Sequence, residues 1–486
     1  MNDKQIFGVP ISPWHARQAE RLVARMRNRY GEPDRPPRMA LADSPVLGSL
    51  YGTRDVVENH GEHPEPDWSR AVLIGTIRMG YGHYRIAMAF ADAARAAGLT
   101  PCWFDLLAFD APAARMIRDM DKWYSLGSRL SQRSALFNRL FWDPLMGKWY
   151  RRLERNYPSM ALGELIAPLY GDIPRDVPVL ASHPFVAHGA AHAGMEHIIN
   201  IIPDNCPLGF HLSARGVQVV QSPSAYYKFR TLRGMLPPGA PGTGVPPEQL
   251  FLAGHYVDVT LLDHLEEDMA RRIARIDARA PRRLLVSAGG AGAQRDLYET
   301  MLWRLMPRVR AGEVLLLFNF GDHHAMAQDL LDAVPGLREL AVIHDHWDET
   351  RAFAEHLATS TDPIAGARVF LHAGPREAVC ATNLLTRGAD LLLTKPSELA
   401  YYPIPTLFLP RVGGHEAWGA IRGAELGYGT PECENEDEVA RALDLVIRED
   451  DLPRVYCDHI LRLARIGVYD GAQRVVEHLV LPRRKA

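Results

Sequence analysis

Cysteine is scarce in this chain. The five present (Cys102, Cys206, Cys380, Cys433 and Cys457) are odd in number, scattered, and never paired as Cys-x-x-Cys. Neither a disulfide framework nor a thiolate zinc site is indicated, and a reducing, cytoplasmic setting is expected. No stretch approaches 18 uninterrupted apolar residues, so any meeting with a membrane is expected from its surface, as a peripheral contact. The start, MNDKQIFGVPISPWHARQAERL, lacks the basic opening and apolar core of a secretory leader. Charge of one sign is not in excess either. Lys+Arg number 55 against 58 Asp+Glu, a net charge of -3, which argues against a surface built throughout to hold nucleic acid. Short repeats and low-complexity tracts are missing, although PPGAPGTGVPP (237–247) reads as a surface loop.

What is present is an ordinary globular composition, 47% hydrophobic and 23% charged, spread over 486 residues. That length exceeds what one hydrophobic core usually serves, so two domains are expected. Residues 1–68 form an N-terminal extension with a helix near 13–29 followed by irregular chain. From residue 71 onward, short apolar runs alternate with Gly- or Pro-marked turns and helical stretches, the rhythm of parallel α/β structure. Six strands are expected at 71–76, 101–106, 177–182, 197–203, 216–221 and 249–254. Six more follow at 282–290, 313–320, 340–345, 367–373, 389–395 and 405–410. The fold class is therefore α/β, with two Rossmann-like doubly wound domains (69–258 and 259–455) facing across a cleft. A C-terminal helix within 456–486 is expected to return to the first domain.

Both series open with a strand, a glycine-rich turn and a helix, GTIRMGYGHYR in the first and SAGGAGAQRD in the second. Open α/β sheets bind ligands beyond the carboxyl ends of their strands, where helix N-termini offer unpaired N–H groups. Gly80 and Gly82 let the backbone turn and approach a ligand, and His83 then opens a helix. A neutral imidazole there can take a proton from a hydroxyl. In ADLLLTKPSELAYYPIPTLFLPRVGGHEAWGAI (389–421) a strand delivers Thr394 and Lys395 to the sheet edge, where a hydroxyl and a cation can meet a diphosphate. Ser397 can cap a short helix, Glu398 can bind a ribose, and the turn 411–416 can close over phosphates or sugar.

The order of these parts resembles the GT-B glycosyltransferases, in particular the branch of monogalactosyldiacylglycerol synthase and the peptidoglycan N-acetylglucosaminyltransferase. The matching stretches are GYGHYRIAMAF, SAGGAGA and TKPSELAYYPIPTLFLPRVGGHE, with HYV after Gly254 and IIPDN at 201–205 as weaker matches. The resemblance implies transfer of a sugar from a nucleotide sugar, UDP-linked, to a hydroxyl acceptor on a small molecule or lipid, without a metal or other cofactor. It makes His83 the base, with Asp204 orienting it or meeting the acceptor, and Arg78, Gly80, Gly82 and His183 the acceptor contacts. Donor contacts are Gly289, Gly290, Thr394, Lys395, Ser397, Glu398, Gly413, Gly414, His415 and Glu416, the last two at sugar hydroxyls. One departure stands out: the turn between TKP and SEL is four or five residues shorter than in the family, which puts the usual diphosphate cradle in question. A nucleotide-sugar epimerase or hydrolase of the same fold, or a non-catalytic nucleotide-sugar-binding protein, are the alternative readings.

Two other regions carry chemistry. Residues 115–155, inside a helical insertion at 110–170, hold ten Lys/Arg against four Asp/Glu and interleave Trp123, Tyr124, Phe137, Phe141, Trp142, Trp149 and Tyr150. Such a segment can lie against an anionic inner membrane surface or bind an acidic acceptor, or it can be a helical pair whose aromatics are core. GDHHAM (321–326) and HDHWDE (344–349) place His323, His324, His344, Asp345 and His346 in loops where imidazoles and carboxylates can hold a divalent ion. No helical His-x-x-x-His accompanies them, and no metal is expected.

Overall fold

The computed structural model describes residues 5–32, 35–134, 136, 139–140, 149–237, 239–240, 242–290, 292–396 and 402–484. Its contacts divide the chain into two compact units. The first comprises residues 1–79, 83–259 and 470–486, and the second residues 80–82 and 260–469.

In the first unit an eight-stranded sheet runs in the order β10-β9-β8-β7-β5-β6-β4-β3. The six strands expected from the apolar runs are all present: β5 (Ala71–Thr76), β6 (Thr100–Asp105), β7 (Val179–Ala181), β8 (Ile198–Ile201), β9 (Val217–Val220) and β10 (Leu250–Leu252). They pair in parallel, and β5 is buried along its whole length, as a strand covered on both faces must be. Gly75 within β5 marks a close approach, because a Cβ there would lie 2.3 Å from Val186 Cγ1.

The N-terminal 68 residues are not irregular after their first helix. Beyond a short ribbon of β1 (Gln5–Ile6) and β2 (Val9–Pro10), β3 (Met39–Asp43) and β4 (Arg54–Glu58) extend the main sheet. β4 runs parallel to β6 and β3 antiparallel to β4. These strands carry charges, Asp43 on the edge strand β3 and Arg54, Asp55 and Glu58 on its neighbour β4, and that polarity hides them from a search for apolar runs. α1 (Pro13–Tyr30) is capped by the Ser12 hydroxyl, which accepts from the His15 amide.

Helices α2 (Gly82–Ala96) from His83 onward, α3 (Pro112–Arg133), α4 (Leu153–Ala161) and α5 (Pro184–Ala193) belong to the same unit. The expected C-terminal return begins at residue 470, not 456. The Gly471 amide donates to the His255 carbonyl at 3.0 Å, and Arg474 donates to the Ala253 carbonyl at 3.0 Å.

The second unit is a six-stranded sheet in the order β13-β14-β12-β11-β15-β16. Its strands are β11 (Arg282–Ser287), β12 (Val314–Gly321), β13 (Ala341–His344), β14 (Gly366–Leu371), β15 (Leu391–Thr394) and β16 (Thr406–Phe408). All five pairings are parallel, and the second set of expected strands is thus also present. The principal helices are α6 (Leu265–Asp277), α7 (Arg295–Arg310), α8 (Pro375–Gly388), α9 (Ala417–Leu426) and α10 (Asp451–Arg465). At the amino ends of the strands, Asp390 accepts from Arg275 and, at 2.9 Å, from the Arg283 amide. Asp390, Arg275 and Arg283 are all buried, so this carboxylate locks α6 to β11 and to the start of β15.

Candidate functional site

The first polar site gathers at the carboxyl ends of β5, β7 and β8. His83, second residue of α2, is buried, and its Nδ1–H donates to the Ser182 carbonyl at 2.7 Å. That bond fixes the neutral tautomer with the lone pair on Nε2. Burial holds the His83 imidazole below the usual histidine range. The Ser182 carbonyl and the Asp204 charge work in the opposite direction, and His211 adds to the lowering.

His183 follows one residue after Ser182 and caps α5, its Nδ1 accepting from the Phe185 amide at 3.1 Å. Its neutral form therefore carries the proton on Nε2. The two rings lie edge to face with centroids 4.8 Å apart, so one imidazole with a basic Nε2 sits beside another with an Nε2 donor. Burial pushes His183 well below the ordinary value, and the neighbouring His83, His188 and His211 lower it further.

Asp204 is expected to orient His83 or to meet the acceptor. The group that fixes the His83 ring is instead the Ser182 carbonyl, and Asp204 acts on it through charge. The Asp204 carboxylate lies 2.8 Å from His211 Nε2. His211 is held from behind: Asn200 donates to its carbonyl at 2.7 Å and also to Gln218 at 2.7 Å, while Gln218 pairs with Ser213. Ser182 and His211 are absent from the sequence reading. A carbonyl leaves no residue-type signal, and His211 reaches Asp204 from a single helical turn (Gly209–His211) that no motif marks. Gly80 adopts φ +78°, the left-handed conformation glycine supplies without cost. The Arg78 charge acts on the half-buried Asp121 carboxyl, which burial raises.

The second polar site lies where β11 and β15 end. Thr394 closes β15 and Lys395 follows. A Cβ at Gly289 would stand 3.0 Å from Lys395 Cε, so the glycine makes room for the lysine stem. His323 Nε2–H donates to the Gly289 carbonyl at 3.0 Å and braces the same turn. The Lys395 ammonium is ion-paired with Glu416, whose other oxygen accepts from the amides of Val412 (2.8 Å) and Gly413 (3.1 Å). Gly414 opens the single turn that carries Glu416 into α9.

Glu416, expected at sugar hydroxyls, thus occupies the ammonium and one of the amides expected at a diphosphate. Burial brings the Lys395 ammonium down to about 8, and the contacting carboxylate opposes that shift. Gly290 follows Gly289 in the same turn. Ser397, Glu398 and the His415 side chain lie outside the described residues.

The loop histidines of this unit take separate places. His324 Nε2–H donates to the His372 carbonyl at 2.9 Å, and His344 stacks on Phe370 with centroids 5.0 Å apart. Among the described residues, no three His, Cys, Asp or Glu side chains converge to hold a metal ion.

The protein is thus of the doubly wound α/β class, with two Rossmann-like units, each bearing a polar site where its strands end. Residues 5–231 match the model of a domain of unknown function (DUF6937), and residues 245–480 match that of another (DUF6938). No curated protein matches the chain. Similar solved structures include a UDP-GlcNAc 2-epimerase from Neisseria meningitidis bound to UDP-GlcNAc, at 10% identity and TM-score 0.45, covering 84% of this chain and 99% of that one. A UDP co-structure of MnaA from S. aureus is similar at 12% identity and TM-score 0.45, covering 84% and 94%. A glycosyltransferase from Rickettsia africae is similar at 11% identity and TM-score 0.42, covering 85% and 98%.

Proposed function

We propose that the chain is a GT-B-type glycosyltransferase that moves a sugar from a nucleotide sugar, UDP-linked, to a hydroxyl acceptor. The observation that carries this reading is His83: a buried imidazole, held neutral, with its lone pair fixed on Nε2 by the Ser182 carbonyl. Nε2 accepts the acceptor hydroxyl's proton as that oxygen bonds to the anomeric carbon and the bond from this carbon to the diphosphate oxygen breaks. His183 Nε2–H, Arg78 and the Gly80–Gly82 turn hold the acceptor, and Asp204, steadied by His211, stabilises the imidazolium that forms.

In the second unit Lys395, with the amides around Gly289, Gly290, Gly413 and Gly414, meets the leaving diphosphate, where negative charge grows in the transition state. Thr394 and Ser397 add hydroxyls, Glu398 binds the ribose, and Glu416, displaced from Lys395 and the Gly413 amide by the entering diphosphate, meets the sugar with His415. The finer placement in the monogalactosyldiacylglycerol synthase branch rests on the Gly-x-Gly-His and Thr-Lys…Glu motifs. The acceptor is a small molecule or lipid, and the setting is cytoplasmic.

The test is a UDP-release assay with UDP-sugars, run with and without candidate hydroxyl acceptors. Acceptor-dependent release that His83→Ala abolishes supports transfer. Release or rearrangement without acceptor indicates the epimerase or hydrolase reading, and binding without turnover a non-catalytic protein.

A further inference from the structure

A basic, tryptophan-bearing surface of the first unit lies outside the machinery described above. On α1, Trp14, Arg17, Arg21 and Arg25 recur at spacings of three and four, which puts them on one helical face. All four are exposed, Trp14 at 54%, while Ala19 and Val23 are buried. α1 packs on α4 and α3, and that contact joins two further sets of residues to the stripe.

At one end, the Trp14 ring stands edge-on to His15 at 4.8 Å, and His15 feels the charges of Glu154 and Arg155 at the start of α4. The Arg155 guanidinium lies 4.6 Å from the ring centre of Trp149, itself 46% exposed. At the other end, Arg29 reaches Asp119 of α3 at 3.3 Å. Exposed Lys122 and Trp123 follow, the latter 69% exposed, and Leu130 lies two turns further along the same helix face. Leu136 and Leu140 are exposed as well. Trp123 and Trp149 of the 115–155 segment are therefore not core residues.

Charge is segregated in the same way. α1 holds five arginines against one glutamate, and residues 115–155 hold ten Lys/Arg against four Asp/Glu, in a chain whose net charge is -3. The remainder of the chain carries a net negative charge, which favours this face for a negatively charged partner. Exposed tryptophans and leucines set among arginines match the interfacial zone of a bilayer, with rings at headgroup depth and guanidinium groups on lipid phosphates. A nucleic acid uses aromatic rings for stacking but has no use for Leu130, Leu136 and Leu140.

We propose that the face formed by α1, α3 and the start of α4 docks on an anionic lipid bilayer. It does so independently of the sugar-transfer reading, and its test uses no turnover.

The full chain is floated with phosphatidylcholine vesicles and with vesicles also containing phosphatidylglycerol, at low and raised salt, while tryptophan emission is followed. Flotation with the anionic vesicles alone, weakened by salt and accompanied by a blue shift, is the expected result. Combining Arg17→Glu, Arg21→Glu and Arg25→Glu lowers the bound fraction at least about tenfold with an unchanged thermal melt, because all three side chains are exposed. Combining Trp14→Ala and Trp149→Ala reduces the blue shift. Absence of flotation at low salt, flotation indifferent to phosphatidylglycerol, or tighter binding to a single-stranded RNA oligonucleotide than to anionic vesicles overturns the proposal.

Discussion

The Nδ1 nitrogen of His83 lies 2.7 Å from the carbonyl oxygen of Ser182, so the backbone at the end of β7 dictates which ring nitrogen of a buried imidazole is basic. Replacing His83 by Asn keeps a side-chain N–H for Ser182 and removes the base. The expected outcome is a loss of turnover of about 10²–10⁴-fold with UDP affinity unchanged, read by steady-state kinetics beside calorimetry. Equal losses in both would assign His83 to structure.

His211 and Asp204 act on that base through charge and position. Asp204 favours the imidazolium, so Asp204→Asn moves the acid limb of the rate profile to lower pH while reducing the maximal rate. His211→Gln, which retains a donor for Asp204, does less than His211→Ala. A pH profile of kcat for the three variants separates positioning from general damage, which leaves the limb in place.

Lys395 and Glu416 predict opposite effects on donor binding. Lys395→Ala removes the cation and weakens UDP binding. Glu416→Gln keeps an oxygen for the Val412 and Gly413 amides but releases the ammonium, and tightens UDP or pyrophosphate binding by roughly tenfold, the size of one charge-assisted contact. Because burial brings Lys395 to about 8, wild-type affinity falls as pH rises through that value. Weaker binding in Glu416→Gln would instead place that carboxylate on the ligand itself.

The buried histidines tie stability of the first unit to pH. Burial lowers His188 to about 3, and His183 shifts in the same direction, so the unfolded chain binds their protons first. Their contribution to stability is constant above the unfolded value near 6.5 and is lost as pH drops below it. At a pH of about 5 the His188 shift alone corresponds to about 2 kcal/mol. Urea unfolding at neutral and mildly acidic pH, compared with His188→Gln, checks the sign, since the variant loses part of the dependence.

In the second unit, Asp390→Ala strands Arg275 and the Arg283 amide in the interior. Breaking a buried pair in this way costs about 3–5 kcal/mol, and denaturant unfolding reads the loss. Arg454→Ala, at an exposed ion pair with Asp277, changes stability by less than about 1 kcal/mol.

The twelve expected strands were legible as apolar runs, most clearly where parallel strands are buried throughout and so almost continuously apolar, as AVLIGT and VLLLFNFG are. β3 and β4 were not, since they mix charge with short apolar stretches. His83, Gly80 and Lys395 could be singled out because a turn after an apolar strand places them at the sheet's ligand-binding edge. Ser182, His211 and the Val412 amide could not. Their roles come from a carbonyl, a one-turn helix and a loop amide, positions set by tertiary packing and not by residue type. The partners of Glu416 were likewise hidden, because a carboxylate can turn either toward a ligand or back onto its own loop.

Calorimetric titration of the wild-type chain and of Lys395→Ala with UDP tests the account most directly. Saturable one-to-one binding to the wild type, lost or severely weakened in the variant, is the predicted result. No heat with the wild type, or equal affinity in both proteins, would contradict a nucleotide-sugar site built on Lys395.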